Sequence, residues 1–482
     1  MTTTLASMLD ALEARGHGRP ETHGPLEIEI ARVTQDSRRV EPGSLYTAVK
    51  GATHDGHDFI PDAIEQGASA LAVERPDTNW SASQVVVEDS RLWTGLLAAA
   101  NAEFPTEQVS LVGVTGTNGK TSTVTLVEHV ANTSGRRASS MGTLTGSLTT
   151  SSAPEFQRSV AQYRDSGISI VAAEISSHAL DQDRVAGSQF AVGVFTNLTQ
   201  DHLDYHESME TYFEAKARLF DPQRCEVAIV STSDDWGRRL VDAIEGPVVA
   251  IDTEAIATAA QLDSTGARFE WRGHAVHSPL GGRFSVANAV LAAEACLALG
   301  FEIDDIIAAL GSAPQIPGRF ELIDAGQPYS VIVDYSHTPA SVAAAVDSAR
   351  DLLSVGGAVI LVFGAAGDRD AGKRPLMGAA ATAADVVIVT SDNPRSEDPE
   401  AIIDDVVVGI ESTDRQPRSV LRLADRAEAI EHAVSVATEG DVVVIAGKGH
   451  EDYQIVGSER LDFDDRVQAR KALATAGFGG GQ

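Results

Sequence analysis

Lysine and cysteine are both scarce in this 482-residue chain, and each scarcity excludes something. Cysteine occurs twice, at Cys225 and Cys296, far apart and in no metal-like spacing, which argues against a disulfide framework and for a reducing compartment. No stretch approaches the roughly 18 uninterrupted apolar residues that span a bilayer. Residues 1–16 carry Asp10 and Glu13 and read as a short helix, not as a signal peptide. Basic residues are outnumbered 37 to 69, and a formal charge of −32 repels duplex nucleic acid and anionic membranes at long range. The expectation is a cytoplasmic protein with no nucleic-acid partner and no membrane insertion. Six of the 37 basic residues are lysine, at positions 50, 120, 216, 373, 448 and 471. Four of them, Lys120, Lys216, Lys373 and Lys448, fall in Gly-, His- or Asp-rich loops or on an apolar helix face and are candidates for chemistry.

Length and a hydrophobic content of 43% suit about three domains. Residues 1–104 alternate short β runs (28–33, 70–73, 85–87) with helical patterns (60–66, 92–103), an α/β module. Its loops at 34–43 and 54–57 read as turns; Ser37 and Arg38, beside a strand end, are also suited to hold a phosphate or carboxylate. A second module covers 105–318 and ends with two Ala-rich helices, 284–299 and 303–310. Residues 316–321 form a hinge-like boundary, with Pro317 and Gly318 as breakers. From 319 to 482 the pattern is βαβ, with strands at 329–334, 359–363, 386–389 and 442–446 and a tail, 477–482, that reads as disordered.

The loop Thr115-Gly116-Thr117-Asn118-Gly119-Lys120-Thr121-Ser122 stands where a buried strand turns into a helix. Its glycines let backbone N–H groups approach an anion, Lys120 can reach terminal phosphates, and Thr121 offers a hydroxyl to Mg2+. Val114 stands where the first glycine of GxxxxGK[ST] belongs, so on the motif alone a Gly-rich turn without ligand stays open. The strand 168–173 ends in Glu174, which a parallel sheet brings to the crevice of Lys120. The strand 190–195 ends in a loop holding Asp201, His202, Asp204 and His206, readable as a hydrogen-bonded turn or as a metal site. Beyond it Met209, Tyr212, Phe213, Leu219 and Phe220 form a helical stripe with Lys216 on its buried face. A buried ammonium must be paired, deprotonated or chemically changed unless it snorkels to the surface. A neutral amine there can take up CO2, giving a carbamate suited to Mg2+. Asn288, on the first Ala-rich helix, can reach a nucleotide or serve the helix surface.

In the third module four strands end in polar loops, at 334–339, 364–370, 391–395 and 447–452, a second ligand-binding rim. Residues 364–367 do not form GxGxxG, and no acidic residue follows a fingerprint at a suitable distance, which disfavours a dinucleotide oxidoreductase.

Taken in order, DSRRVEPGSLY from Asp36, TGTNGKTS from Thr115, EISSHAL from Glu174, FTNLTQDHLDYH from Phe195, the EAK ending in Lys216, PGRFE from Pro317, DYSHTP from Asp334, GDRDAGKRP from Gly367, DNPR from Asp392 and GKGHEDYQ from Gly447 closely resemble the Mur ligase family across all three modules. The resemblance implies an α/β, three-domain architecture: a UDP-precursor-binding domain (1–104), a central ATP-binding P-loop domain with a parallel sheet (105–318) and a Rossmann-like, amino-acid-binding C-terminal domain (319–482). It implies ATP-dependent addition of meso-diaminopimelate to the D-glutamate side-chain carboxylate of UDP-N-acetylmuramoyl-L-alanyl-D-glutamate, through an acyl phosphate, in peptidoglycan synthesis, by a monomer that uses Mg2+.

By the same resemblance Thr115, Gly116, Thr117, Asn118, Gly119, Lys120, Thr121 and Ser122 cradle ATP, Lys120 neutralises the transferring phosphate, and Asn288, Arg319, Asp334 and His337 contact the nucleotide. Thr121 and Glu174 hold one Mg2+; Glu174, His202 and a carbamylated Lys216 hold a second. Ser37, Thr149, Thr150, Ser176, Gln182 and Arg184 match positions that hold the UDP-precursor, and Arg369, Asp392, Asn393, Arg395, Gly447 and Glu451 those that hold the amino acid. Family members that add diaminopimelate carry Asp-Asn-Pro-Arg at 392–395, so Arg395 is expected to grip the distal carboxylate that L-lysine lacks, the alternative being a pair with Glu397 or Asp398. The chain departs from the family at Ser151, usually proline, and at Ala365 and Ala366, in a loop usually read GCGGDRD. Competing expectations are the same ligase using L-lysine, a folylpolyglutamate synthase-like ligase, which would lack the first module, and a nucleotide-binding scaffold without catalysis.

Overall fold

The computed structural model describes residues 3–479 apart from 52, 147 and 264. Helix Leu5–Glu13, N-capped by the Thr4 hydroxyl, buries Leu5, Met8, Leu9 and Leu12, one face at helical spacing. That face and helix Ser90–Asn101 pack on a sheet ordered Glu21–His23, Ser83–Val86, Ala68–Val73, Ser44–Thr47, Arg32–Thr34. The run expected at 28–33 is split: Glu29–Ile30 pairs with Thr3–Thr4, and Arg32–Thr34 forms the sheet edge.

The middle sheet is six-stranded and parallel, ordered Val248–Ile251, Cys225–Ser231, Phe190–Phe195, Ser110–Thr115, Ile170–Glu174, Ala138–Met141. Strand Ser110–Thr115 is central and covered on both faces, which is why it reads as a continuous apolar run. Val114 pairs with Glu174 and Thr115 with Phe195, so the loops after these three strands open at one edge. Helices Lys120–Thr133 and Arg283–Ala298 share a core with one sheet face, and the antiparallel strands Gly266–Trp271 and His274–Ser278 extend that core.

The third sheet is ordered Glu321–Leu322, Ser330–Asp334, Val442–Ala446, Val359–Phe363, Val386–Val389, Ser419–Arg422. The last strand in sequence of this sheet is inserted between the second and third in chain order, which opens a crevice at the C-terminal ends of its parallel strands. Edge strand Ser419–Arg422 and hairpin Tyr453–Val456 with Glu459–Asp462 add to the elements expected from sequence. The tail expected to be disordered from 477 begins otherwise: Phe478 packs edge-on against Tyr329, with ring centroids 5.8 Å apart, while 480–482 lie outside the described residues.

The boundary is fastened from Gly318 onward. Gly318 N donates to Glu321 Oε2 and Phe320 N to Asp334 Oδ2, both at 2.8 Å. Gly318 has φ +63, and a Cβ there would lie 2.1 Å from the Gly449 carbonyl carbon. The backbone at Gly318 and Phe320 is therefore fastened to the third module, within the stretch read as a hinge at 316–321.

Candidate active site

The phosphate cradle is shaped by what presses on it. A Cβ at Gly116 (φ +146) would lie 1.8 Å from Thr196 Oγ1, and one at Gly119 (φ +88) 2.3 Å from Asn288 Oδ1. Val114 is fully buried in the strand, so the cradle begins later than in the longer motif. Asn118 N donates to Asn197 Oδ1 at 3.0 Å and Thr117 N to Asn197 O at 2.9 Å, so the loop after Phe195 fixes the cradle's shape.

Two lysines converge on one carbonyl. Lys120 Nζ donates to Gly116 O and Thr117 O, each at 2.9 Å, and Lys216 Nζ donates to Gly116 O at 2.8 Å. Lys216 is 1% exposed, which removes the snorkelling alternative, and its Nζ lies over the Tyr212 ring at 4.6 Å. Burial, joined by the charge of Lys120, holds the Lys216 amine well below the usual lysine range. Burial lowers Lys120 as well, against the opposing pull of Glu174.

Thr121 Oγ1 donates to Glu174 Oε1 at 3.0 Å and accepts from Arg319 Nη2 at 2.9 Å, a link from the third module into the cradle. Glu174 also accepts from the Thr143 amide at 2.8 Å and hydroxyl at 3.1 Å; no sequence signal marks Thr143. His202 stands apart, in a left-handed conformation (φ +54), paired with Asp201 at 3.5 Å and edge-on to His178 and Tyr212. Burial lowers its pKa, against Asp201. Among the described residues no hydrogen bond joins His202 to Glu174 or Lys216, and no group of three or more His, Cys, Asp or Glu side chains is drawn up as a metal cluster.

A cavity of about 370 Å3 opens beside the cradle, lined by Asn118, Gly119, Thr121, Asn288, Arg319 and Asp334 among others. It brings together both modules. His337 lies instead on a second cavity, of about 480 Å3, with Asp201, His202 and Lys373. Tyr335 lines both cavities and lies under the Arg319 guanidinium at 4.4 Å; its place between them was not legible in sequence.

The second cavity gathers the rim: Arg369, Asp392, Asn393, Arg395, Gly447 and Glu451 all line it. Asn393 Nδ2 donates to Glu451 Oε2 at 3.0 Å, and the buried Lys448 reaches the same oxygen at 3.1 Å. Arg395 is left-handed (φ +53) and donates to Gly367 O at 2.6 Å. Its alternative partners are engaged elsewhere, Glu397 with Arg374 at 2.7 Å and Asp398 as cap of helix Pro399–Glu411. The Ala365 and Ala366 departure is explained here. A Cβ at Gly364 would meet Thr390 O at 2.3 Å and one at Gly367 would meet Pro394 O at 1.9 Å, whereas the two positions between them have no positive φ and need no glycine.

Five of the six residues expected at the UDP-precursor form one chain of contacts running up to Glu174. Thr150 Oγ1 donates to Glu174 O (2.8 Å) and accepts from Ser176 N (3.0 Å). Arg184 donates to Thr150 O (3.0 Å) and Gln182 Oε1 (2.8 Å), and Thr149 meets Thr143 at 3.3 Å. Ser37 lies apart, in the short turn Ser37–Arg39 of the first module, whose Arg39 pairs with Glu155 of the second.

A parallel-sheet phosphate cradle, a linker arginine bonded into it and a facing polar rim define an ATP-dependent ligase built to join two substrates. The chain belongs to the Mur ligase family: it matches the Mur ligase family catalytic domain at residues 29–102, the Mur ligase middle domain at 114–296 and the Mur ligase glutamate ligase domain at 318–449. It is similar to the UDP-N-acetylmuramoyl-L-alanyl-D-glutamate--2,6-diaminopimelate ligase of Geobacillus kaustophilus (strain HTA426), at 41% identity over 98% of this chain and 99% of the relative. The protein of the same name from Synechococcus sp. (strain WH7803) is 43% identical over 98% and 99%. A solved structure bearing that name is 31% identical, with a TM-score of 0.69 over 99% of this chain and 100% of the other. Among the described residues no helix is long and apolar enough to cross a membrane.

Proposed function

We infer that this Mur ligase adds meso-diaminopimelate to the D-glutamate side-chain carboxylate of UDP-N-acetylmuramoyl-L-alanyl-D-glutamate, using ATP and an acyl phosphate, in peptidoglycan synthesis. The observation that carries the choice of amino acid is Arg395, which lines the rim cavity with no ion-pair partner among the described residues. A distal carboxylate can accept two parallel hydrogen bonds from that guanidinium, and L-lysine has none to offer. The match at residues 29–102 favours this reading over a folylpolyglutamate synthase-like ligase, which would lack that module.

We assign Arg369, Asp392, Asn393, Arg395, Gly447 and Glu451 to the amino acid, Ser37, Thr149, Thr150, Ser176, Gln182 and Arg184 to the UDP-precursor, and the 115–122 loop with Asn288, Arg319, Asp334 and His337 to ATP. Domain boundaries fall near 104 and 318. Lys120 leaves the Gly116 and Thr117 carbonyls for the terminal phosphate as the substrate carboxylate attacks phosphorus and ADP departs. The amine then attacks the acyl carbon and inorganic phosphate leaves. Thr121 and Glu174 are hard oxygen donors 3.0 Å apart, and Glu174 faces hydroxyl and amide groups with no cation bonded to it among the described residues, a donor set that fits Mg2+. We assign a second Mg2+ to Glu174, to His202, a neutral imidazole at pH 7, and to Lys216 as its carbamate, which together would hold it. Mg2+ held by these residues would offset charge on the phosphoryl oxygens. Carbamylation joins the Lys216 nitrogen to CO2 and releases one proton. We take the enzyme to work as a monomer in the cytoplasm, where its nucleotide substrates are found.

Product mass after incubation with UDP-N-acetylmuramoyl-dipeptide, ATP and a panel of amino acids tests the reading. Diaminopimelate should be added; equal use of L-lysine would overturn the assignment.

A further inference from the structure

Helix Arg426–Val436 opens with an arginine that the reaction as described does not use. Arg426 is 1% exposed, and Asp465, first residue of helix Asp465–Thr475, is 0% exposed. They form a two-pronged pair, Nε to Oδ1 at 2.8 Å and Nη2 to Oδ2 at 2.7 Å. The guanidinium also donates to two backbone carbonyls, Ala446 O at 2.9 Å and Ser391 O at 3.3 Å.

Those carbonyls stand at the entry to two of the four rim loops. Ala446 ends strand Val442–Ala446 and leads into Gly447 and Glu451; Ser391 leads into Asp392 and Asn393. The strands behind the loops, Val442–Ala446 and Val386–Val389, are not neighbours, because Val359–Phe363 lies between them. No ladder hydrogen bond therefore joins the two strands directly, and beyond the strand ends Arg426 bridges the loops from beneath, beside the Asn393–Glu451 and Lys448–Asn393 hydrogen bonds. The spacing is tight at one point: a Cβ on Gly447 would lie 2.5 Å from Asp392 Oδ2 and 3.7 Å from Arg426 Nη2. A buried ion pair adds little net stability over packed apolar side chains of similar volume. What an apolar pair lacks is directed bonds to both carbonyls.

We propose that Arg426, held by Asp465, is a positioning residue for the amino-acid substrate, fixing the Asp392-Asn393 loop against the Gly447 and Glu451 loop. The inference rests on reading this rim as the diaminopimelate site. Its test compares kcat, the KM for each of the three substrates and the melting temperature in wild type, Arg426→Lys and Asp465→Asn. In Arg426→Lys the KM for meso-diaminopimelate should rise about 10- to 100-fold, with the KM for ATP and for the UDP-precursor held within about twofold. Asp465→Asn should show the same split in weaker form. Folded variants whose diaminopimelate KM stays within about twofold of wild type, or whose three KM values rise together, overturn the proposal and leave a structural pair. Failure of both variants to fold overturns it too, since the pair then serves the fold. A wild type that does not turn over diaminopimelate refutes the substrate assignment itself, and this inference with it; normal wild-type turnover with the wrong variant pattern refutes the inference alone.

Discussion

The phosphate cradle and the amino-acid rim face each other across the domain boundary, yet they engage their basic side chains to different degrees. In the cradle Lys120 and Lys216 donate to the same Gly116 carbonyl, and Arg319 donates to Thr121. On the rim Arg369 and Arg395 each give a single donor to a backbone carbonyl, Asp368 O and Gly367 O, and the Lys373 ammonium gives none among the described residues. A phosphate entering the cradle must exchange bonds the protein already makes, so binding there is tied to rearrangement. A molecule with two carboxylates entering the rim meets cations that still have free donors, which lowers the ordering cost of binding.

The largest effect expected from breaking this contrast is at Lys216. Lys216→Ala should reduce kcat by about a thousandfold, with partial return on adding a short carboxylic acid that stands in for the carbamate. Near-normal turnover would show that the cradle does not need this amine. Next is Arg395→Ala, which should erase roughly 2 to 5 kcal/mol of preference for diaminopimelate over L-lysine, about 30-fold to several thousandfold in competition assays. An unchanged preference would place selectivity elsewhere on the rim. Gly119→Ala sharpens the separation of the two sites: it adds a Cβ 2.3 Å from Asn288 Oδ1 at a φ of +88. The KM for ATP should rise about tenfold while that for the amino acid holds, and equal rises would contradict the division. The smallest effect is on stability against pH. Burial, with the charge of His178, holds buried His206 down to about 4, so between there and its unfolded value the unfolded chain binds more protons. That stability is present above about pH 6.5 and lost as pH falls, and the melting temperature should drop by about 2 to 4 °C from pH 7 to pH 5. A flat profile, or one that His206→Gln leaves unaltered, would remove His206 from the account.

Much of this was legible because the function sits where strands end. The runs before Thr115, Glu174, Phe195, Asp334 and Ala446 are buried on both faces and so read as unbroken apolar stretches, and the polar residues after them stand out. Strand Ser419–Arg422 did not announce itself, since an exposed sheet edge needs no apolar pattern. Hairpin Tyr453–Val456 with Glu459–Asp462 is hidden for the same reason, its second strand being wholly exposed. His337 follows Asp334 in one motif, yet the turn through Tyr335 sends the two residues to different cavities. Such a divergence depends on side-chain direction in a turn, which spacing alone does not encode.

Gly318 is seated on Gly449, and Phe320 is tied to Asp334, so the backbone of Arg319 travels with the amino-acid domain while its guanidinium rests on a hydroxyl beside the phosphate loop. An outward swing of that domain would withdraw a cation from the phosphate loop in the same stroke that took the amine out of reach. The two halves of the reaction are thus mechanically interlocked. An open form should therefore hydrolyse ATP slowly, which ATPase rates measured without the UDP-precursor and the amino acid would check.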